Sequence, residues 1–226
     1  MLLLLFSAAV VFILWRCWFF FRNPPRHVPA GNSMLSPADG YVVYVRRVEA
    51  GEVPIAIKKG RRITLAELAI PGETAGSSGF LIGIFMTPFS VHYNRIPLSG
   101  VVSSVHSYKP GNNRTMARMI FNLLTGNKVP ETGCTYLLTN ERTTTVVQTG
   151  SGCYAVTQIA DIWVSQIVNR LSPGSKVTRG TPFGMIRFGS QTDIFISDQL
   201  GYRPVCTPGE YVYAGETVIA SGTSSY

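Results

Sequence analysis

Residues 183–196 read FGMIRFGSQTDIFI, and they set Gly189 and Ser190 between two strand-like runs without a tight-turn signal. A serine hydroxyl that follows a glycine in a strained chain can attack the preceding carbonyl. Glycine has no Cβ to hinder that attack, and it adopts unusual φ/ψ at little cost. A base that then removes the Ser190 α-proton expels the Gly189 carboxylate and cuts the chain. Hydrolysis of the enamine left behind gives a pyruvoyl group, a carbonyl electron sink made from protein. On its own a Gly-Ser pair is far more often a turn, so its neighbours have to decide the matter. The other reactive side chains are few. The histidines are His27, His92 and His106, with no HExxH motif and no His-Cys cluster, so no metal site is expected. His106 lies in a strand-like run and reads as structural. Cys17, Cys134, Cys153 and Cys206 have the spacing of neither a metal motif nor a disulfide scaffold, and read as free thiols.

The elements that must position these groups are mostly strands. Apolar and β-branched runs at 80–86, 100–107, 143–149, 153–160, 183–188 and 192–197 predict strands, as does the Val/Tyr-rich run after the turn Ser36-Pro37-Ala38-Asp39-Gly40. The tail after 206 reads as turn, strand, turn, strand. Segment 112–127 predicts a helix with Asn caps, an apolar face of Met116, Met119, Ile120, Leu123 and Leu124, and Gly126 as its stop. Segment 156–171 fits helical spacing, but its β-branched content favours two strands with a bend near Asp161. Four Gly-x-Val-like hairpins give the body the flavour of a lipoyl-carrier fold, without the Met-Lys-Met lipoylation turn. The expected fold is mainly β with a few helices: a compact β-barrel or sandwich, plus an N-terminal hydrophobic membrane helix.

That helix is read from MLLLLFSAAVVFILWRCWFFF. A bilayer span needs about 20 apolar residues, and Met1–Phe21 just reaches that length with Arg16 able to snorkel. Neither a positive n-region nor an A-x-A-like cleavage site marks it as a signal peptide. Residues 1–22 are therefore expected to form a membrane anchor, spanning or re-entrant, and 23–226 the soluble body. Arg22, Arg26 and His27 follow the anchor, so the body is expected at the cell membrane on its cytoplasmic side. The chain is 46% hydrophobic and 14% charged, against about 25% charged in typical domains, and carries a net charge of +8. No Lys/Arg block with interleaved aromatics is present, so nucleic acid is not an expected partner. A basic body beside anionic lipid fits better.

Several ordered stretches resemble the phosphatidylserine decarboxylase family: LSPADGYV at 35–42, IFMTPFSVHYNRIPLSG at 84–100, NER at 140–142, VTQIAD at 156–161, and GMIRFGSQTDIF. The resemblance spans residues 19–220 or so. The length, the entry FFFRNPPR and the hydrophobic N-terminus look like the short form, which includes archaetidylserine decarboxylases. The resemblance implies self-cleavage between Gly189 and Ser190 into 1–189 and a thirty-seven-residue 190–226 piece, which stay associated. It implies a pyruvoyl cofactor derived from Ser190, and decarboxylation of a serine phospholipid to its ethanolamine counterpart. Asp39 is implied as the acidic member of an Asp/His/Ser processing set; alone it would read as a turn-forming Asp before Gly. His92 is the implied proton carrier. Where longer members have His-x-x-His, this chain has His92 and then Arg95, and Arg95 could hold a substrate phosphate or carboxylate. Phe89 and Tyr93 are candidates for lining the entry. Well-known members have Gly-Ser-Thr at the cut, whereas this chain has Gln191 after the serine. Two competing readings are a membrane-anchored, non-catalytic β scaffold and a pyruvoyl decarboxylase of a soluble amino acid. The lipid backbone is not written in the sequence, and a homo-oligomer is compatible with it.

Overall fold

Alternation of side chains along strands builds the body. The computed structural model describes residues 1–50, 52–57, 61–65, 76–109, 113–116, 121, 125, 136–150, 152–161, 167–187 and 190–222. Its strands are β1 (Met34–Leu35), β2 (Gly40–Val48), β3 (Glu52–Ile57), β4 (Arg61–Thr64), β5 (Gly79–Met86), β6 (Tyr93–Arg95), β7 (Gly100–Tyr108) and β8 (Arg142–Thr149). They continue with β9 (Gly152–Ala160), β10 (Ile167–Asn169), β11 (Lys176–Val177), β12 (Pro182–Ile186), β13 (Ser190–Ser197), β14 (Tyr202–Pro204), β15 (Tyr211–Val212) and β16 (Val218–Gly222). Eight of them form one sheet in the order β11-β7-β8-β9-β13-β5-β2-β15, with antiparallel pairing throughout.

This sheet curls into a half-barrel, a mainly β body of the kind expected, in which the compact barrel or sandwich takes the form of one curled eight-stranded sheet. Side chains on successive residues point to opposite faces. Ile82, Ile84, Val156, Ile194 and Ile196 therefore fill one core. Leu81, Phe85, Ala155, Ile159 and Phe195 fill the other. The first core is closed by two three-stranded sheets, β10-β12-β6 and β1-β16-β14, which bring Ile186, Phe183 and Ile219 onto it. A short helix, α2 (Tyr136–Thr139; α1 is the N-terminal helix below), contributes Tyr136 and Leu137 to the second. Strand β13 lies in the middle of the large sheet, paired with β5 on one side and β9 on the other.

The 156–171 segment is strand up to Ala160, breaks at Asp161 and is strand again at Ile167–Asn169, as its β-branched content favours. Most of the helix expected over 112–127 lies outside the described residues, and 113–116 within it carry no regular structure. Cys17, Cys153 and Cys206 are free thiols, and Cys134 lies outside the described residues.

The N-terminus requires a correction. Helix α1 runs over Leu2–Leu14, and the next five residues, Trp15–Phe19, form a π turn. At 1.5 Å per residue, thirteen residues rise only about 20 Å. No helix among the described residues is long and apolar enough to cross a membrane, so the expected spanning helix over 1–22 is not supported. The π turn continues α1 in helical conformation and delivers Phe20 into the body, where that side chain is fully buried.

Candidate active site

The SPADG turn is fixed by its own hydroxyl, with Ser36 Oγ donating to the Ala38 carbonyl at 2.7 Å. Gly40 follows because a Cβ there would lie 2.1 Å from the Phe85 carbonyl oxygen. The turn delivers Asp39 to a buried position, where Arg26 Nη2 donates to both carboxylate oxygens at 3.0 and 2.8 Å. The Ala214 amide donates to the same carboxylate at 2.7 Å. Arg26 also donates to Glu216 at 3.0 Å. Asp39 thus ties the post-anchor linker and the tail to the start of β2. Breaking one partner of such a buried pair leaves an uncompensated charge, which is costly.

His92 lies in the loop between β5 and β6 and is wholly buried. Its carbonyl accepts from the Ile186 amide at 3.2 Å, which pins the loop to the end of β12, close in sequence to the proposed cut. Its ring stacks on Phe20, centroid to centroid 4.1 Å. Neither ring nitrogen has a hydrogen-bond partner among the described residues. The Ser90 backbone lies near enough to favour the cation slightly, without good geometry to either nitrogen. Burial dominates and holds the imidazole pKa down to about 3, with the Arg22 and Arg16 cations pushing the same way. At neutral pH His92 is an uncharged imidazole able to accept a proton.

Ser190 opens β13, opposite Met86 of β5 and Ala160 of β9, and it is fully buried. Among the described residues its hydroxyl reaches only the Met86 sulfur, at 3.2 Å. A thioether is a weak acceptor, so this oxygen is not tied to a strong partner. Phe188 and Gly189 lie outside the described residues. Two residues on, Thr192 shares the face of Ser190 and accepts from Asn94 Nδ2 at 3.1 Å. The same Asn94 Nδ2 donates to the Pro37 carbonyl of the SPADG turn at 3.3 Å, and Gln158 donates to Asn94 Oδ1 at 2.8 Å. A chain of buried amides therefore couples the Asp39 turn to the Ser190 strand. The structure brings the three elements to one end of the half-barrel. It forms no hydrogen bond joining Ser190, His92 and Asp39 among the described residues.

Arg95 is spent structurally. Its guanidinium donates to the Gly180 carbonyl at 3.0 Å, to Asn23 Oδ1 at 2.6 Å and to the Pro24 carbonyl at 3.2 Å. Phe89 is exposed in the loop before His92, and its carbonyl accepts from Arg22 at 2.5 Å. Tyr93 is half-buried in β6, opposite Met185. His106 is exposed on β7 opposite Thr144.

Sequence reasoning missed the opposite face of β13. Gln191 Nε2 donates to Asp193 Oδ1 at 2.7 Å and to Tyr44 Oη at 3.0 Å. Tyr44 donates to Asp193 Oδ2 at 2.7 Å, and Tyr136 donates to Gln191 Oε1 at 2.8 Å. All four are buried. A bulge in β2 between Val42 and Tyr44 turns Tyr44 to this face. Its ring lies across Gly83, where a Cβ would fall 2.4 Å from it, and so reaches the next strand. Burial raises the Asp193 carboxyl to about 6, against the pull of its Tyr44 and Gln191 donors. The available signal was a Gln and an Asp at alternate positions in a strand that runs on into Ile194, Phe195 and Ile196.

Comparison with known proteins completes the picture. Residues 13–220 match the model of the phosphatidylserine decarboxylase family. A phosphatidylserine decarboxylase proenzyme of Nitratidesulfovibrio vulgaris is 34% identical over 216 residues, covering 94% of this chain and 81% of that protein. One from Ruegeria pomeroyi is 31% identical over 206 residues, covering 90% and 78%. A Methanococcoides burtonii protein, provisionally named an archaetidylserine decarboxylase proenzyme, is 34% identical over 210 residues, covering 92% and 74%. With most of its length matched and its motifs gathered at one end of the sheet, the chain belongs to the phosphatidylserine decarboxylase family.

Proposed function

We propose that the chain is a proenzyme that cuts itself between Gly189 and Ser190 and then decarboxylates the headgroup of a serine phospholipid to the ethanolamine form. The observation that carries this reading is Ser190 itself: a fully buried hydroxyl at the head of a central strand, bonded among the described residues only to a thioether. Oγ attacks the Gly189 carbonyl carbon, the Gly189–Ser190 amide bond breaks, and its nitrogen takes the hydroxyl proton. A base then takes the Ser190 α-proton, the Cβ–Oγ bond breaks, and Gly189 leaves as a carboxylate. Water releases ammonia from the remaining enamine and leaves the pyruvoyl group on the 190–226 piece.

The residues present fit that group. Replacing the Ser190 hydroxyl by a carbonyl at this position gives up only a bond to sulfur. Pairing with Met86 and Ala160 keeps the new terminus in the sheet and the two pieces together. The pyruvoyl group supplies an electron sink for a bound amino acid losing carbon dioxide. His92 has both ring nitrogens unpartnered among the described residues, which leaves them open to the headgroup and to passing a proton to or from the reacting carbon. Asp39 acts by holding the SPADG turn against Asn94, and through it the β13 strand.

A lipid substrate suits the N-terminus better than a soluble amino acid does. Leu3, Phe6 and Val11 of α1 are all more than 60% exposed, which supports association with a membrane surface. Arg22, Arg26 and His27 after them support the cytoplasmic side. Mass spectrometry of the purified protein tests the reading. Two fragments parted at 189/190, the smaller without a free amino terminus, are expected. An intact chain under native conditions would overturn it.

A further inference from the structure

We propose that Arg16 and Arg22 form the phosphate subsite for the substrate lipid, and that the apolar cavity beside them receives one of its acyl chains. This rests on the reading of the chain as a serine-phospholipid decarboxylase. The cavity is an open groove of about 550 Å³ along one side of α1 and the turn after it, lined by Val11, Leu14, Trp15, Trp18, Phe19 and Arg22. Arg22 is its one charged wall. The Arg22 guanidinium lies 3.8 Å from the Phe19 ring centroid and donates to two backbone carbonyls, Phe19 at 2.7 Å and Phe89 at 2.5 Å. The Arg16 guanidinium lies over Phe21 at 4.2 Å and Phe20 at 4.9 Å, and its Nη1 is buried without a hydrogen-bond partner among the described residues.

Neither cation is paired with a carboxylate among the described residues. Other arginines of the body are spent: Arg26 on Asp39 and Glu216, Arg47 on Asp198, and Arg95 on the linker. A guanidinium offers five N–H donors in a fork that fits phosphate oxygens, and backbone carbonyls leave its charge uncompensated. Both cations are near enough to His92 to depress its protonation. Phe20, under the Arg16 guanidinium, is stacked on the His92 ring. Apolar cavity, two guanidiniums and buried imidazole thus follow one another in the order of a phospholipid's parts: chain, phosphate, amino-acid headgroup. Phe20 holds the place over His92 and swings away when the headgroup enters.

The test uses the mature, self-cut enzyme with three substrates: dihexanoyl phosphatidylserine, glycerophosphoserine and free serine. Arg16→Gln and Arg22→Gln should raise KM about tenfold or more for both phosphate-bearing substrates, the size of a lost charge-assisted contact. The extent of self-cleavage should stay near the parent's. Arg22→Lys should recover part of the KM, since the charge survives and the fork does not. Leu14→Trp, which fills the cavity, should raise KM for the dihexanoyl lipid alone. The subsite is overturned if both Gln variants keep the parent KM for glycerophosphoserine, or if they lose only vesicle binding. A parent enzyme that fails to turn over either phosphate-bearing substrate would instead overturn the functional reading on which the subsite depends.

Discussion

The two faces of β13 differ in how completely their polar groups are satisfied. On one face Ser190 meets a sulfur, and the nearby His92 ring has no partner for either nitrogen among the described residues. On the other face Gln191, Asp193, Tyr44 and Tyr136 form a closed network, with four hydrogen bonds of 2.7–3.0 Å. The contrast assigns each face a task. Groups that must change partners during chemistry are left without strong ones. Groups one residue away are tied down, so the backbone under the reacting serine keeps its register. Gln191, the departure from Gly-Ser-Thr, belongs to the tied face.

The contrast can be broken from either side. The largest effect is expected from Ser190→Ala, which should run as one chain on a denaturing gel and form no ethanolamine lipid, with the fold retained by circular dichroism. Next is the tied face. Gly83→Ala drives a methyl group into the Tyr44 ring and should cost about 1–3 kcal/mol, read as a lower urea midpoint. Tyr44→Phe removes one of the donors to Asp193 and should also cost about 1–3 kcal/mol. A Tyr44→Phe midpoint equal to the parent's would show that the network is ornamental.

Acid titration separates the faces by sign. Burial lowers His92 from 6.5 to about 3, so below pH 6.5 the unfolded chain binds a proton that the folded chain refuses. That contribution to stability is complete above pH 6.5 and is lost as pH falls towards 3. Burial raises Asp193 from 3.8 to about 6, so its contribution is complete below pH 3.8 and is lost as pH rises through 6. Urea midpoints measured across this range should show His92→Gln flattening the acid limb. Asp193→Asn should gain on the parent as pH rises from about 4 to 6. The smallest effect is expected from Gln191→Thr, which removes the Gln191 side-chain bonds to Tyr136 and Asp193. It should slow self-cleavage a few-fold, followed by gel densitometry, while leaving the cut position unchanged.

Much of the sheet was legible because period-two burial is written directly into a strand. The run at 80–86 appears as Gly79–Met86, and that at 192–197 as Ser190–Ser197. The bend near Asp161 followed from β-branched content. The N-terminal segment was misread because hydrophobicity says that a side chain will be buried, not against what. Met1–Phe21 has the length for a span, yet Phe20 finds its burial against His92, seventy-two positions away. The site was legible as motifs and not as contacts. Nothing local to Asp39 announces that Arg26 and the Ala214 amide will hold it. The Gln191 network could have been suspected, since two polar residues on the same side of a central strand need partners when buried.

The position of Ser190 at the head of a strand flanked on both sides has a thermodynamic consequence for the matured molecule. After the proposed cut, the shorter piece supplies β13 between β5 and β9, β15 beside β2, and the β14–β16 pair, whose β16 lies beside β1. It is interleaved with the longer piece rather than docked on it. Folding of the uncut chain is a unimolecular event, whereas reassembly of the two pieces is a bimolecular one. Melting of the cut enzyme should therefore depend on protein concentration, and its durability would be set by how rarely the central strand escapes.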